Sequence, residues 1–339
     1  MKKSKTLFIL LFLCLGNFLF AQSNLKFAFY NVENLFDTID SPDTFDTEFT
    51  PTGKNNWNTH RYYKKMRRIS QVIDSINANN DLAVLGMAEV ENRTALNDLI
   101  NYKTIKKSGF EIVHQDSPDA RGIDVACIYN PKLVKLNSYK YYNVKITDSD
   151  SSKTRDILYC VFELKNKSTV HYFVNHWPSR RGGEEESSGK RKKAAENLKS
   201  ICDSIFKIDV SANIIICGDL NDHPDNESVV NTLGAANPNS AEKSKLFSLM
   251  WTLKNENKGT HFYKGEWSIL DHFIVSQSIL QGNQKIKATP EELNVFEASF
   301  LFDTNKKGEQ VVYRTFVGPR YTGGYSDHLP IILNMTIKN

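Results

Sequence analysis

The sequence predicts an α/β fold, and two observations carry that expectation. Short apolar runs of strand length recur along the chain, and each ends in a cluster of polar residues. Between some of them lie longer segments whose apolar residues return at helical spacing. The clearest run is Ile214-Ile215-Ile216-Cys217-Gly218-Asp219-Leu220-Asn221-Asp222. It reads as a buried strand that ends at Gly218. Polar groups just past such a strand emerge at an edge of the sheet, where open α/β folds place ligands. Asp219 is a candidate base or metal ligand there, and Asn221 a holder of water or a phosphate oxygen. An acidic turn that only ends a strand is the competing reading.

The chain begins with a targeting pattern. Lys2, Lys3 and Lys5 precede an apolar stretch from Thr6 to Phe20, and Ala21-Gln22 offers a cleavage point. This reads as a secretory signal peptide over residues 1–21; a membrane anchor is the rival, but the stretch is short for a bilayer. Leu13 is bulky where a lipidation site carries a small residue. Residues 22–339 show no linker and no internal repeat, so one domain is expected.

Lys26 to Tyr30 reads as the first strand and runs into Asn31-Val32-Glu33, whose two polar residues share one side of the strand end. Thr38 to Trp57 is a polar loop; its acids lack EF-hand spacing, so a solvated loop is expected in preference to a calcium site. Tyr62, Met66, Ile69, Ile73 and Ile76 mark an amphipathic helix over His60–Asn79, with Lys64, Lys65, Arg67 and Arg68 on its solvated face. Leu82 to Met87 is the next buried strand. It ends at Glu89, a carboxylate that is costly there unless paired or metal-bound; Glu91 is read as a cap for a helix starting near Arg93. A turn carrying Arg121 feeds the strand Ile123–Tyr129. That arginine is placed either on a phosphate, by bidentate hydrogen bonds, or on Asp119 or Asp124.

Leu158–Leu164 and Val170–Val174 form a strand pair. The second runs out at Asn175-His176-Trp177-Pro178-Ser179-Arg180-Arg181-Gly182-Gly183, a pattern that suits an anion-binding loop with His176 as a general acid, or a histidine bonded within the fold. Glu184–Lys207 is a helix with Ala194, Leu198, Ile201 and Ile205 inside and Lys190 to Lys193 solvated. A helix near Ser228–Leu233 follows, then a strand beginning at Asp271, and the final strand Ile331–Met335 after Ser326-Asp327-His328.

Bulk charge excludes little. The segment Met1–Ala21 holds three lysines and no acid, so without it the 43 basic residues fall to 40 against 39 acids, a net of +1. Local basic clusters must carry any argument for a polyanionic substrate. Cys127, Cys160, Cys202 and Cys217 lack metal or redox spacing; buried thiols are expected, with room for one bridge in an exported protein.

Asn31, Glu33, Glu89, His176, Asp219, Asn221, Asp271, Asp327 and His328 make a set dominated by carboxylates and amides. That is the ligand chemistry of a hard cation such as Mg²⁺, Mn²⁺ or Ca²⁺, with zinc also compatible. In residue type and order the set resembles the endonuclease/exonuclease/phosphatase superfamily, in its deoxyribonuclease and apurinic endonuclease branch. Asn31-Val32-Glu33 resembles its first metal motif, with Glu33 where apurinic endonucleases have aspartate. Glu89 falls at the metal-binding glutamate, His176 at the catalytic histidine, Asp219 and Asn221 at Gly-Asp-x-Asn, Asp271 at the aspartate that orients histidine, and Asp327-His328 at the closing Ser-Asp-His.

The resemblance implies a four-layer α/β sandwich of two facing mixed sheets with outer helices. It implies Asn31, Glu33, Glu89 and Asp327 around a divalent metal, Mg²⁺ first. The catalytic residues it implies are His176, Asp219, Asn221, Asp271 and His328. With Arg121, Asn175, Arg180 and Arg181 on the substrate side, the expectation is an exported, metal-dependent nuclease. It would be a monomer without a stable membrane anchor, acting on nucleic acid. A phosphatase or phosphodiesterase acting on lipid headgroups or small phosphorylated molecules is the alternative.

Overall fold

The computed structural model describes residues 22–146, 153–256 and 258–338. The expected signal peptide lies outside the described residues. Among the described helices none is long and apolar enough to cross a membrane. The main elements are β1 (Gln22–Leu35), α1 (Thr59–Ile76), β2 (Leu82–Val90), α2 (Arg93–Ile100), β3 (Glu111–His114), β4 (Asp124–Tyr129), β5 (Val134–Tyr142), β6 (Ile157–Leu164), β7 (Thr169–His176), α3 (Glu184–Ile208) and β8 (Ile214–Asp219). After them come β9 (Ala235–Ala236), β10 (Leu246–Ser248), β11 (Asp271–Ser276), β12 (Ile286–Lys287), β13 (Leu293–Val295) and β14 (Ile331–Lys338).

Two seven-stranded sheets result. One runs β12-β14-β1-β2-β4-β3, with β13 also on β14; the other runs β5-β6-β7-β8-β11-β10-β9. Both are mixed: β1–β2 and β7–β8 are parallel, whereas β1–β14 and β8–β11 are antiparallel. Strand alternation sorts the side chains into layers. Phe27 and Phe29 of β1 meet Tyr172, Val174, Ile215, Cys217 and Phe273 between the sheets. Ala28 and Tyr30 face the other way, onto Met66, Ile69 and Ile73 of α1. Ile214 and Ile216 do the same on the second sheet, against Ala194, Leu198 and Cys202 of α3. The four-layer sandwich is therefore as expected. The four described cysteines are free and buried.

Three expectations need correction. Lys65 is buried at 2% exposure, because its ammonium has carbonyl and hydroxyl partners inside the fold. Arg191 is likewise buried, its Nε 2.7 Å from Asp222 Oδ1 and its Nη1 2.7 Å from Ser187 Oγ. Periodicity counts both as polar and cannot see a partner distant in sequence. The cap of α2 is Asn92, which accepts from Ala95 N at 2.8 Å, and not Glu91, which accepts from Asp37 N at 2.5 Å.

The sheets approach each other closely at Gly86. A Cβ there would stand 2.8 Å from Cys217 Sγ and 2.9 Å from Tyr172 Oη. Gly86→Ala should therefore overpack the inter-sheet core and lower stability by about 1–3 kcal/mol. Urea unfolding checks this; an unchanged midpoint would refute the close packing.

Candidate active site

The register of the second sheet sets one end of the sandwich. Asp219 ends β8 and is paired with His176 of β7 on one side and Asp271 of β11 on the other. From the facing sheet, the ends of β1 and β2 bring Asn31, Glu33 and Glu89. The backbone is irregular at these positions, with register shifts in β1 and β2 and a turn after β8: φ is 49° at Glu33, 55° at Asn34, 62° at Glu89 and 52° at Asn221. Each non-glycine residue in this left-handed region costs about 1–2 kcal/mol, so part of the backbone strain lies at the site. Gly218 precedes Asp219 because a Cβ there would overlap the Asn175 carbonyl.

Asp219 is the meeting point. Asn31 Nδ2 donates to its Oδ2 at 3.0 Å and lies 3.4 Å from Glu89 Oε1. The backbone N–H of Asn221 donates to Asp219 Oδ1 at 3.0 Å. The same Oδ2 lies 3.7 Å from His176 Nε2 and 3.8 Å from His328 Nε2. His328 Nδ1 is held by Asp271 Oδ2 at 2.8 Å, which leaves Nε2 turned toward Asp219. Ser326 Oγ donates to the Asn31 carbonyl at 2.7 Å and accepts from His328 N at 3.1 Å, tying the last motif to the first.

Beside this lies a second group. Asp327 Oδ2 is 2.7 Å from Arg314 Nη2 and 3.8 Å from His261 Nε2. Glu33 Oε2 accepts from Thr315 N at 2.7 Å, and its Oε1 is 3.5 Å from Arg314 Nε. Lys65 Nζ, bonded to Thr315 Oγ1 and the Tyr325 carbonyl at 2.6 Å each, feels Glu33, Asp327 and Glu89. Sequence reading missed Lys65, His261 and Arg314 as site residues. Arg314 sits in a short ribbon region with no strand-length apolar run, so only the fold brings it to Asp327.

The environment splits the titratable groups. Burial raises Asp219 to about 7 with Asp271 adding to it, although His328, Asn221 and Asn31 oppose the shift. Burial also raises Glu33 to about 7, helped by Asp327 and opposed by Lys65 and Arg314. For His328 burial disfavours the charged ring, but Asp271, Asp219 and Asp327 outweigh it and hold the group well above the histidine range. His176 goes the opposite way: burial, then Arg155, Arg121 and His328, hold it well below. The two imidazoles are thus pushed in opposite directions, the pattern that separates acid and base roles.

The substrate-side candidates do not stay together. Asn175 is buried, its Nδ2 bonded to the Cys217 carbonyl at 3.3 Å and its Oδ1 accepting from Trp177 Nε1 at 3.4 Å. Arg180 holds the 219–222 turn, donating from Nε to the Asn221 carbonyl at 2.7 Å and pairing with Glu184 at 2.8 Å. Arg181 is exposed. Arg121 is half exposed, 3.6 Å from Asp119, within range of His176. Asp119 also holds the buried Arg155 at 3.0 Å.

A divalent cation suits these residues. The ligating atoms of Asp219, Asp271 and His328 lie within 4.8 Å of one another, as do those of His261, Asp327 and His328. Asp271 Oδ1 is buried without a partner, and two neighbouring carboxylates are pushed up to about 7. Hard oxygen donors such as these carboxylates are the usual surroundings of such an ion. Glu89, Asn31 and Asp327 would share in holding it.

Two facing sheets end in one cluster of carboxylates, amides and histidines, which suits acid–base chemistry beside a hard cation. The chain belongs to the Endonuclease/Exonuclease/phosphatase family, whose model matches residues 26–337. Members of this family are phosphoester hydrolases, generally metal-dependent. No curated protein matches the sequence. Among solved structures, a mannosyl-6-phosphatase from Bacteroides thetaiotaomicron VPI-5482 aligns with TM-score 0.58 at 15% identity, over 92% of this chain and 99% of that one. TDP2 from D. rerio, complexed with single-strand DNA product, aligns with TM-score 0.57 at 14% identity, over 92% and 99%. The human Nocturnin catalytic domain aligns with TM-score 0.50 at 14% identity, over 92% and 94%. At these identities the likeness is one of fold.

Protonation of Asp219 and Glu33 removes negative charge beside a bound metal, and both carboxyls are raised to about 7, so the ion is held more weakly below that pH than above it. Added Mg²⁺ should therefore raise Tm more at pH 8 than at pH 5.5, and Asp219→Asn should shrink that difference. Equal shifts at both pH values would remove the metal from these carboxylates.

Proposed function

We propose that this protein is an exported, metal-dependent phosphodiesterase acting on nucleic acid as a monomer. The observation that carries the reading is the Asp271–His328 pair, at 2.8 Å, aimed at a buried Asp219 whose affinity for protons lies near neutrality. A phosphodiester is an anion, so attack by water needs a base and stabilisation of the charge that builds on phosphorus-bound oxygens. A bound divalent ion would supply the positive charge, held by Asn31, Glu89 and Asp327 with Glu33 behind them. Asp219 orients the water and takes its proton, with Asn31 and Asn221 fixing the carboxylate. His328, charged and held by Asp271, donates Nε2–H to a non-bridging oxygen. His176 would hydrogen-bond the phosphate or the leaving oxygen, and the leaving oxygen takes up the proton that Asp219 received from the water. Arg121, half exposed, and Arg181, exposed, are two cations an extended polyanion could use. Export rests on the Lys2-to-Ala21 pattern.

A small phosphorylated molecule is the second reading. Its support is the engagement of Arg180 by Glu184 and Asp222, which removes one of the expected backbone contacts.

The test uses the chain without Met1–Ala21 and Mg²⁺, Mn²⁺ or Ca²⁺. It is incubated with plasmid DNA, RNA, phospholipids and mannose 6-phosphate, with EDTA as control. Metal-dependent cleavage of nucleic acid is expected. His328→Ala and Asp219→Asn should each lower it by about 10²–10⁴-fold. Phosphate release from mannose 6-phosphate without nucleic-acid cleavage moves the function to the second reading. Full activity in either variant, or in EDTA, refutes the mechanism.

A further inference from the structure

The ribbon His261–Tyr263 with Glu266–Ser268 borders the site, its His261 lying beside Asp327. Its turn, Lys264-Gly265, has φ of 51° and 91°, as a two-residue type I′ hairpin requires. Alternation puts Phe262 on one face, packed against Trp267 at 5.1 Å, and His261 and Tyr263 on the other. The ribbon is pinned to the catalytic loop: Leu329 N donates to the Thr260 carbonyl at 2.7 Å, and Phe262 N to the Asp327 carbonyl at 3.4 Å.

Three rings then stand in file from the reacting centre to solvent. The His328 and His261 centroids are 4.6 Å apart, and Tyr263 follows His261 at 6.1 Å, tilted 25°. Tyr263 is 54% exposed, so little of its ring is used in the core. Lys264 Nζ lies 5.3 Å from the Tyr263 centroid on a flexible stem, and Tyr263 is within charge range of Arg314, which holds Asp327. An exposed aromatic ring on a pinned hairpin, with a cation beside it and a phosphoester site two rings away, has the parts of a base-stacking platform.

We propose that Tyr263 stacks the nucleobase attached to the scissile phosphate while Lys264 moves to the adjoining phosphate. The substrate is then single-stranded, because bases in a duplex are already stacked on one another. This rests on the phosphodiesterase reading and narrows it.

Two chromogenic diesters separate the roles: thymidine 5′-(p-nitrophenyl phosphate), which carries a base, and methyl p-nitrophenyl phosphate, which does not. With Mg²⁺, Tyr263→Ala should raise KM for the thymidine ester by about 5- to 150-fold with kcat little changed, the effect of losing ~1–3 kcal/mol of stacking. Tyr263→Phe should keep the wild-type KM, and neither variant should alter turnover of the methyl ester. Equal losses on both esters, or none on either, overturn the proposal, as does a loss confined to mannose 6-phosphate, which would make the ring a sugar platform. Binding of a ten-residue oligothymidylate, followed by protein fluorescence without turnover, keeps the two readings apart. Equal affinity of wild type and Tyr263→Ala sinks the stacking role whatever the activity. Cleavage of mannose 6-phosphate alone, with no diester turned over, sinks the phosphodiesterase reading.

Discussion

A single buried carboxylate links the two sheets at the functional end of this protein. Asp219 ends a central strand of one sheet, and Asn31 of the other sheet donates to it at 3.0 Å. Burying an acid is costly unless hydrogen bonds and countercharge surround it. Here the Asn221 backbone, Asn31 and His328 supply them, and each comes from a different stretch of the chain. The inter-sheet core packed beneath, with Gly86 against Cys217 and Tyr172, sets the distance across which Asn31 must reach.

The rest of the site follows from balancing that acid. Asp271 and Asp327 add negative charge, and the fold answers with His328, Arg314 and the interior Lys65. The balance leaves Asp219 and Glu33 with proton affinities near neutrality, so proton and metal binding are linked at the same groups. The left-handed backbone at Glu33, Asn34, Glu89 and Asn221 is the conformational cost of bringing these side chains to one place. Arg180 and Arg191 both hold Asp222, and so the turn that carries Asn221.

The legible features share one property: they are local in sequence. Buried runs such as Ile214–Cys217 and Leu82–Met87 announce strands because each is buried on both faces. Helix α1 is readable from Tyr62, Met66 and Ile69, since one face packs on a sheet. The short ribbons between residues 261 and 321 have two or three residues per strand, too few to show a period. Arg180 and Asn175 look like an anion loop in sequence. In the structure their polar atoms are taken by the Asn221 and Cys217 carbonyls and by Trp177, none of which periodicity can foresee.

The amino-acid sequence alone determined the α/β class, the order of the strand-end motifs and the chemistry of the residues in them, because burial pattern and residue type are written along the chain. Tertiary structure decided which of those residues meet. The pairing of His176, Asp219 and Asp271 in one row comes from strand register. The approach of Asn31 comes from sheet packing. The opposite proton affinities of His176 and His328 come from burial and from charges such as Arg155, Asp271 and Asp219, which the fold rather than local sequence brings beside them.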